Sequence, residues 1–216
     1  MKNKELVAIA ETFADYEFKN GEKGLYYRCL GRTGRIVFAK GYATYCLKQG
    51  WMYRQKMGYI AIEEHIPNKG DKKTFKKQRK DQSLRKTIFH SLHKNAGKLD
   101  FIRGILKGME PIGGFLFCMD FCRAGLPIDL ILRKQGYVRI RLLSVKKEFQ
   151  GKGYTRKLVQ IAYDRADLYG VPCIVSTDSF EKAAKYEHLG FRLFQKRRLS
   201  GNATEYDMIR LPEMRY

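Results

Sequence analysis

The chain has no Cys-x-x-Cys spacing, and its five cysteines, Cys29, Cys46, Cys118, Cys122 and Cys173, are odd in number and scattered. That excludes a paired-cysteine zinc site and points to reduced thiols. Cys118 and Cys122 share a face if their stretch is helical, but no further Cys or His pair completes a ligand set, so they read as core and no metal is expected. No segment approaches the roughly 20 apolar residues that cross a bilayer. Even the greasy Phe115 to Cys122 run is short. The opening Met1-Lys2-Asn3-Lys4-Glu5 passes straight into an amphipathic pattern, without the apolar stretch of a signal peptide. The expectation is a cytoplasmic protein. Acidic charge is also scarce, with 22 Asp and Glu against 43 Lys and Arg, a balance of +21.

Such a charge sets a field on the order of several kT that draws anionic partners without identifying them. Nucleic acid, a membrane surface and the phosphates of a nucleotide cofactor all fit, and so does a merely solvated Lys-rich surface. Aromatic residues at 13% offer stacking surface for single strands. With 216 residues, 44% of them hydrophobic, the chain can bury a sizeable core. It shows no internal repeat and no long linker, so residues 1–216 are expected to form a single domain.

Leu6, Ile9, Ala10, Phe13 and Tyr16 fall at helical spacing, and Asn20-Gly21 stops that helix. A second helix is predicted from Ile36 to Lys48. Trp51 to Arg54 and Gly58 to Ile66 read as a hairpin closed by Pro67. Residues 67–134 are expected to be basic and largely helical. Their charge-dense start, with Lys72, Lys73, Lys76, Lys77, Arg79 and Lys80, looks like a solvated loop running into a helix. Beyond Leu84, helical patterns alternate with Gly104, Gly108, Pro111, Gly113, Gly114, Gly125 and Pro127, which predicts two or three helices.

Residues 137–211 are more legible. Tyr137 to Val145 reads as a strand and Thr155 to Tyr169 as an amphipathic helix stopped by Gly170 and Pro172. Cys173 to Thr177 is a short buried strand. Asp178, three residues before Glu181, looks like the start of a capping box for a helix ending at Gly190. Phe191 to Leu199 and Glu205 to Leu211 flank a turn and make a terminal hairpin. Strand, helix, strand, helix and hairpin describe a mixed sheet flanked by helices, an α/β (α+β) fold.

Gln150-Gly151-Lys152-Gly153-Tyr154 lies between a strand and a helix. A loop there can point several backbone N–H groups into one concavity, where the positive end of the helix adds to the attraction for phosphate. Gly151 and Gly153 remove side chains that would block close approach, while Lys152 and Arg156 supply cations. Alone, such a loop is a weak signal, because a glycine pair at a strand-to-helix junction is more often a plain tight turn.

Taken with Leu142-Leu143-Ser144-Val145 before it, Thr155 after it and Tyr186-Glu187-His188-Leu189-Gly190-Phe191 further on, the loop resembles the GNAT acetyltransferase superfamily in residue types, order and spacing. The family pattern of Arg or Gln, two residues, Gly, one residue, then Gly or Ala maps onto Gln150, Gly153 and Thr155. Its Tyr, three residues, Gly and Phe map onto Tyr186, Gly190 and Phe191. Thr155 replaces the usual small residue, and Ser179 stands where many members carry an Asn that bonds the cofactor.

The resemblance implies the GNAT fold with a helical insertion before the cofactor-binding strand, and acetyl-CoA as cosubstrate. Leu143, Ser144, Val145, Gln150, Gly151, Lys152, Gly153, Tyr154, Thr155 and Ser179 would contact it. The strand ending Leu143-Ser144-Val145 would splay from the Cys173–Thr177 strand and pair with the pantetheine arm. A backbone N–H near Ser144 or Val145 would face the oxyanion. Tyr186 would protonate the departing thiolate; its plainer reading is a packed tyrosine.

Direct attack by a primary amine also needs a base. Glu63 and Glu64 are the candidates, because consecutive strand residues face opposite sides and one of them turns from solvent or into the cleft; surface salt bridges are their plainer reading. His65 and His188 receive no catalytic role. Polyamine-like, aminoglycoside-like, amino-nucleoside and peptide amines are all candidate acceptors, polyamines being disfavoured by the basic charge. The competing reading is a basic binding module for CoA or nucleic acid without turnover. Retention of both the loop and Tyr186 argues against it.

Overall fold

The computed structural model describes residues 1, 3–20, 29–67, 96–199 and 203–213. The basic cluster Lys72 to Lys80 and the turn residues Ser200, Gly201 and Asn202 lie outside the described residues. In chain order the elements are α1 (Asn3–Asn20), α2 (Gly31–Lys48), β1 (Met52–Gln55), β2 (Gly58–His65), α3 (Ala96–Met109), α4 (Pro111–Arg123), α5 (Ile128–Ile131), β3 (Tyr137–Val145), α6 (Tyr154–Tyr169), β4 (Cys173–Thr177), α7 (Phe180–His188), β5 (Arg192–Arg198) and β6 (Thr204–Arg210). The strands form one mixed sheet in the order β1-β2-β3-β4-β6-β5. The terminal hairpin is therefore laid in with β6, not β5, against β4.

Strand alternation sorts the core into two layers. Ile60, Ile62, Val138, Ile140, Cys173, Val175 and Met208 meet Val159, Ala162 and Ala166 of α6 and Ala183 of α7 on one face. Tyr59, Ala61 and Leu142 meet Leu6, Ile9, Ala43 and Cys46 of α1 and α2 on the other. The short α5 covers the far end of that second face, with Ile128 and Leu132 on Tyr137 and Ile174. Cys46 and Cys173 are buried, and desolvation pushes both thiols up to about 12, so they stay protonated as core residues.

Helix α2 begins at Gly31, ahead of the predicted Ile36, and Gly104 and Gly108 lie inside α3 instead of breaking it. One cause explains both departures. A Cβ on Gly34 would lie 2.4 Å from the Gly108 carbonyl oxygen, and one on Gly108 would lie 2.6 Å from that of Gly34. A Cβ on Gly41 would come within 3.0 Å of the Gly104 Cα. These glycines let two helix backbones touch. Phe101 of α3 fills the space beside them, with ring centroids 5.7 Å from Phe38, 5.3 Å from Tyr42 and 5.9 Å from Tyr45.

The last helix starts one residue later than its capping-box reading. Ser179, not Asp178, is the N-cap, its Oγ accepting the Lys182 N–H at 3.2 Å, while Asp178 pairs with the Lys182 ammonium. A hydroxyl one residue nearer reaches the third helical N–H, which leaves the carboxylate for the side chain.

Candidate functional site

Strands β3 and β4 run parallel but pair only through Val138/Cys173, Arg139/Ile174 and Ile140/Val175. β3 continues to Val145 and β4 to Thr177, so the sheet opens between them beyond that point. The register against β2 explains where it opens. Ile62 pairs with Ile140 and its neighbour Ala61 with Leu142, which leaves Arg141 as an extra residue, a β-bulge that bends the strand. Past the bulge, the Lys146 N–H bonds Met57 on the β1–β2 turn. Alternation then turns the N–H groups of Leu143 and Val145 away from β2, into the gap, and that of buried Ser144 toward β2.

Residues 146–154 close the wide end of this gap. After a turn of 3-10 helix at Lys147–Phe149, Gln150 donates its side-chain amide to the Val145 carbonyl at 3.1 Å, and Lys152 donates to the Glu148 carbonyl at 3.0 Å. Gly151 and Gly153 have φ of +75° and +72°, conformations that disfavour any side chain, and nothing lies within 4 Å of where a Cβ would be. Gly153 is the N-cap of α6, which has no side-chain cap and no acidic residue in its first turn. No capping side chain takes the first N–H groups of the helix, which carry its positive end dipole, although that of Arg156 bonds the Gly153 carbonyl at 3.3 Å. Tyr154 is steadied by Phe149 edge-on at 5.4 Å, and Thr155 is half-buried in the first turn. Arg156 is tied to the His188 carbonyl of α7 at 3.0 Å.

The Tyr186-to-Phe191 motif has a structural meaning of its own. The Phe191 N–H bonds the Tyr186 carbonyl at 3.1 Å and the Gly190 N–H bonds that of Glu187 at 2.9 Å, with Gly190 at φ +97°. This is a Schellman cap, and the hydrophobic contact that goes with it is the Tyr186 ring edge-on to Phe191 at 5.4 Å. Gly170 ends α6 in the same way, with Val171 bonded to Ala166 and Gly170 to Asp167. The ring of Tyr186 is thus accounted for by packing, and its hydroxyl is not. Burial pushes the phenol above the usual tyrosine range, so it is a proton-bearing donor at neutral pH.

Glu63 and Glu64 take opposite faces of β2. Glu63 lies on the α1–α2 side next to the bulge, where its Oε2 accepts Arg141 Nε at 2.6 Å. Glu64 lies on the α6 side, accepting the Tyr169 hydroxyl at 3.1 Å with Arg165 3.7 Å away. His65 stacks on Tyr137 at 5.1 Å, its Nε2 3.0 Å from the Arg133 carbonyl oxygen.

A buried ionic network beneath the opening was missed in the sequence. Arg139 pairs with Asp129 of α5 and donates to the Ser176 hydroxyl at 3.3 Å, which donates to Asp207 at 2.6 Å. Asp207 in turn accepts Arg197 at 2.8 Å and Gln195 at 2.8 Å, and Arg197 also pairs with Glu205. Burial works to raise the Asp207 carboxyl, but Arg197, Ser176 and Gln195 together hold it below its ordinary value. Glu205 shares the same arginine and loses the contest: burial, only partly opposed by Arg197, pushes it up to about 7. The visible signal was a pair of facing strands carrying Arg197, Glu205 and Asp207 on one side.

No family model matches the chain, and no curated protein sequence matches it. Among solved structures, arylalkylamine N-acetyltransferase 2 from Aedes aegypti aligns with a TM-score of 0.53 at 13% identity, over 99% of this chain and 97% of that one. A structure described as an acetyltransferase aligns at 0.42 and 15% identity, over 98% and 97% of the two chains. A mosquito arylalkylamine N-acetyltransferase like 5b aligns at 0.41 and 12%, over 96% and 95%.

Proposed function

We propose, from the GNAT acetyltransferase fold that this chain has, that it transfers an acetyl group from acetyl-CoA to a primary amine by direct attack. The observation that carries the proposal is the three-pair β3–β4 ladder, which stops at Ile140 and Val175 in front of an uncapped, glycine-led helix N-terminus. An extended pantetheine arm fits such an opening by pairing with the N–H groups of Leu143 and Val145. The pyrophosphate then meets the N–H groups of Gly151 to Thr155, with Gln150 fixing the loop and Lys152 nearby. The Thr155 hydroxyl supplies a further donor there. Ser179, whose oxygen already accepts a bond, keeps its own O–H to donate.

In this reading the amine nitrogen bonds to the thioester carbon and the carbon–sulfur bond breaks. A gap-facing N–H, Leu143 or Val145 and not Ser144, stabilises the oxyanion. The Tyr186 hydroxyl gives its proton to the thiolate as it leaves. Glu63, the carboxylate beside the bulge, receives the proton of the amine through Oε1, because Oε2 is engaged by Arg141. Glu64, held on the other face, is left without a part in the chemistry.

The test is thiol release from acetyl-CoA with a panel of arylalkylamines, amino-nucleosides, aminoglycosides and peptide amines. Amine-dependent release that tracks formation of an acetylamide is the expected result. Tight binding of acetyl-CoA with no release for any class would favour a binding module.

A further inference from the structure

We propose that Tyr42 is a positioning residue for acyl transfer: from α2 it clamps the Arg141 bulge and thereby aims the backbone N–H groups that follow it into the gap. The proposal rests on the transferase reading for its consequence and on direct contacts for its premise. A bulged residue has no cross-strand partner of its own, so its orientation must be fixed from elsewhere. At Arg141 both ends are held. The Tyr42 hydroxyl donates to the Arg141 carbonyl at 3.2 Å. The guanidinium is gripped by Glu63 Oε2, with Nε at 2.6 Å and Nη2 at 2.5 Å. Asp129 Oδ2 stands 3.4 Å from Nη2, and the Trp51 ring centre lies 5.6 Å from the guanidinium carbon.

Tyr42 is itself rigidly placed. Its ring packs on Phe101 and Tyr45, and α2 is locked to α3 by glycine contacts that allow little sliding. Burial keeps the phenol protonated, so it remains a donor across the working pH range. Leu143 lies two residues beyond the clamped carbonyl. Releasing that carbonyl lets the strand relax toward regular pairing, which moves the Leu143 N–H off its aim. Helix α3 thus bears on the gap only indirectly, through the Phe101 ring packed on Tyr42.

The variants are Tyr42→Phe, which keeps the ring, and Arg141→Lys, which keeps the charge but gives up the fork. Both are expected to lower kcat by about tenfold, less than the roughly 10²-fold cost of misplacing a catalytic group outright. Acetyl-CoA affinity should stay within about twofold, because helix-terminus and loop contacts hold most of the cofactor. A second readout needs no turnover. The infrared carbonyl stretch of bound [1-¹³C]acetyl-CoA should be lowered in the wild type and return toward its free position in Tyr42→Phe. An unchanged kcat with an unchanged stretch would overturn the proposal. If the wild type binds acetyl-CoA but acetylates no amine, the transferase reading fails while the carbonyl stretch still decides this one. If acetyl-CoA does not bind, amide exchange across Arg141–Val145 decides it: faster exchange confined to that stretch in Tyr42→Phe supports the clamp, and equal exchange refutes it.

Discussion

The glycine contact between α2 and α3 makes a quantitative claim about one methyl group. In Gly108→Ala the new Cβ would lie 2.6 Å from the Gly34 oxygen, 0.8 Å short of the 3.4 Å at which ordinary contact begins. It would also lie 3.2 Å from the Phe38 Cβ and 3.3 Å from its nitrogen, so the obstruction is backbone on one side and the root of a side chain on the other. Separating the helices by that much forfeits about a quarter to a half of each dispersion contact across the seam. Overpacking costs about 1–3 kcal/mol, and an obstruction made of backbone, which cannot swing aside, puts this site in the upper part of that range, about 2–3 kcal/mol. Alanine gives back about 1 kcal/mol through helix propensity. The net expectation is a loss of about 1–2 kcal/mol, a fall in Tm of about 2–8 °C for a chain of this length. Gly114→Ala is the milder comparison, because its Cβ would meet the Ile105 Cγ2 methyl at 2.8 Å but no backbone atom closer than 3.9 Å. It should melt above Gly108→Ala. Thermal melts followed by circular dichroism read both variants, and equal Tm values for Gly108→Ala and the wild type would refute the close seam.

Three further outcomes follow from the site. Tyr186→Phe keeps the Schellman contact with Phe191, so stability should hold while kcat falls by about 10²- to 10⁴-fold at unchanged acetyl-CoA affinity; unchanged kcat in steady-state assays would leave Tyr186 with packing alone. Glu205 is raised in the fold to about 7, so the folded state holds a proton that the unfolded chain releases above about 4.3. Its contribution therefore makes stability fall as pH rises from about 4.3 to 7, by a few kcal/mol at most; denaturant melts of Glu205→Gln across that window should lose this component, and an identical slope in both proteins would contradict it. The +21 charge should give only nonspecific affinity for duplex DNA, about 10⁻⁴ to 10⁻⁶ M at physiological salt; tighter binding, lost when the six basic residues between Lys72 and Lys80 become Gln, would restore the nucleic-acid reading.

What could be seen in the sequence was what leaves a periodic trace. Tyr137 to Val145, the helix ending at Gly170 and the buried Cys173 to Thr177 strand each show their burial pattern, and their ends coincide with residues that stop them. Glycine was legible where it ends an element and illegible where it serves packing, as at Gly34, Gly104 and Gly108, because the reason for it lies on another helix. The bulge left no trace, since it exchanges the faces of Leu142 and Leu143, and both are apolar. The loop from Gln150 to Gly153 was legible as a glycine turn leading into a helix, and Gly151 and Gly153 do take positive φ there, with Gly153 at the N-cap. Tyr42, Asp129 and Ser176 were not, because each reaches the gap only through a contact distant in sequence.

The account stands on acetyl-CoA lying with its pyrophosphate at the start of α6, and titration calorimetry of wild type and Gly153→Glu tests that most directly. Glu at 153 puts a carboxylate against the uncapped N–H groups and a side chain at φ +72°, so it should both compete with and repel the phosphates. The circular dichroism of the variant, compared with that of Gly153→Ala, separates backbone strain from charge. Binding by the wild type and by Gly153→Ala that Gly153→Glu abolishes is the predicted result; equal affinity in all three proteins would place the cofactor elsewhere and contradict the assignment of the gap.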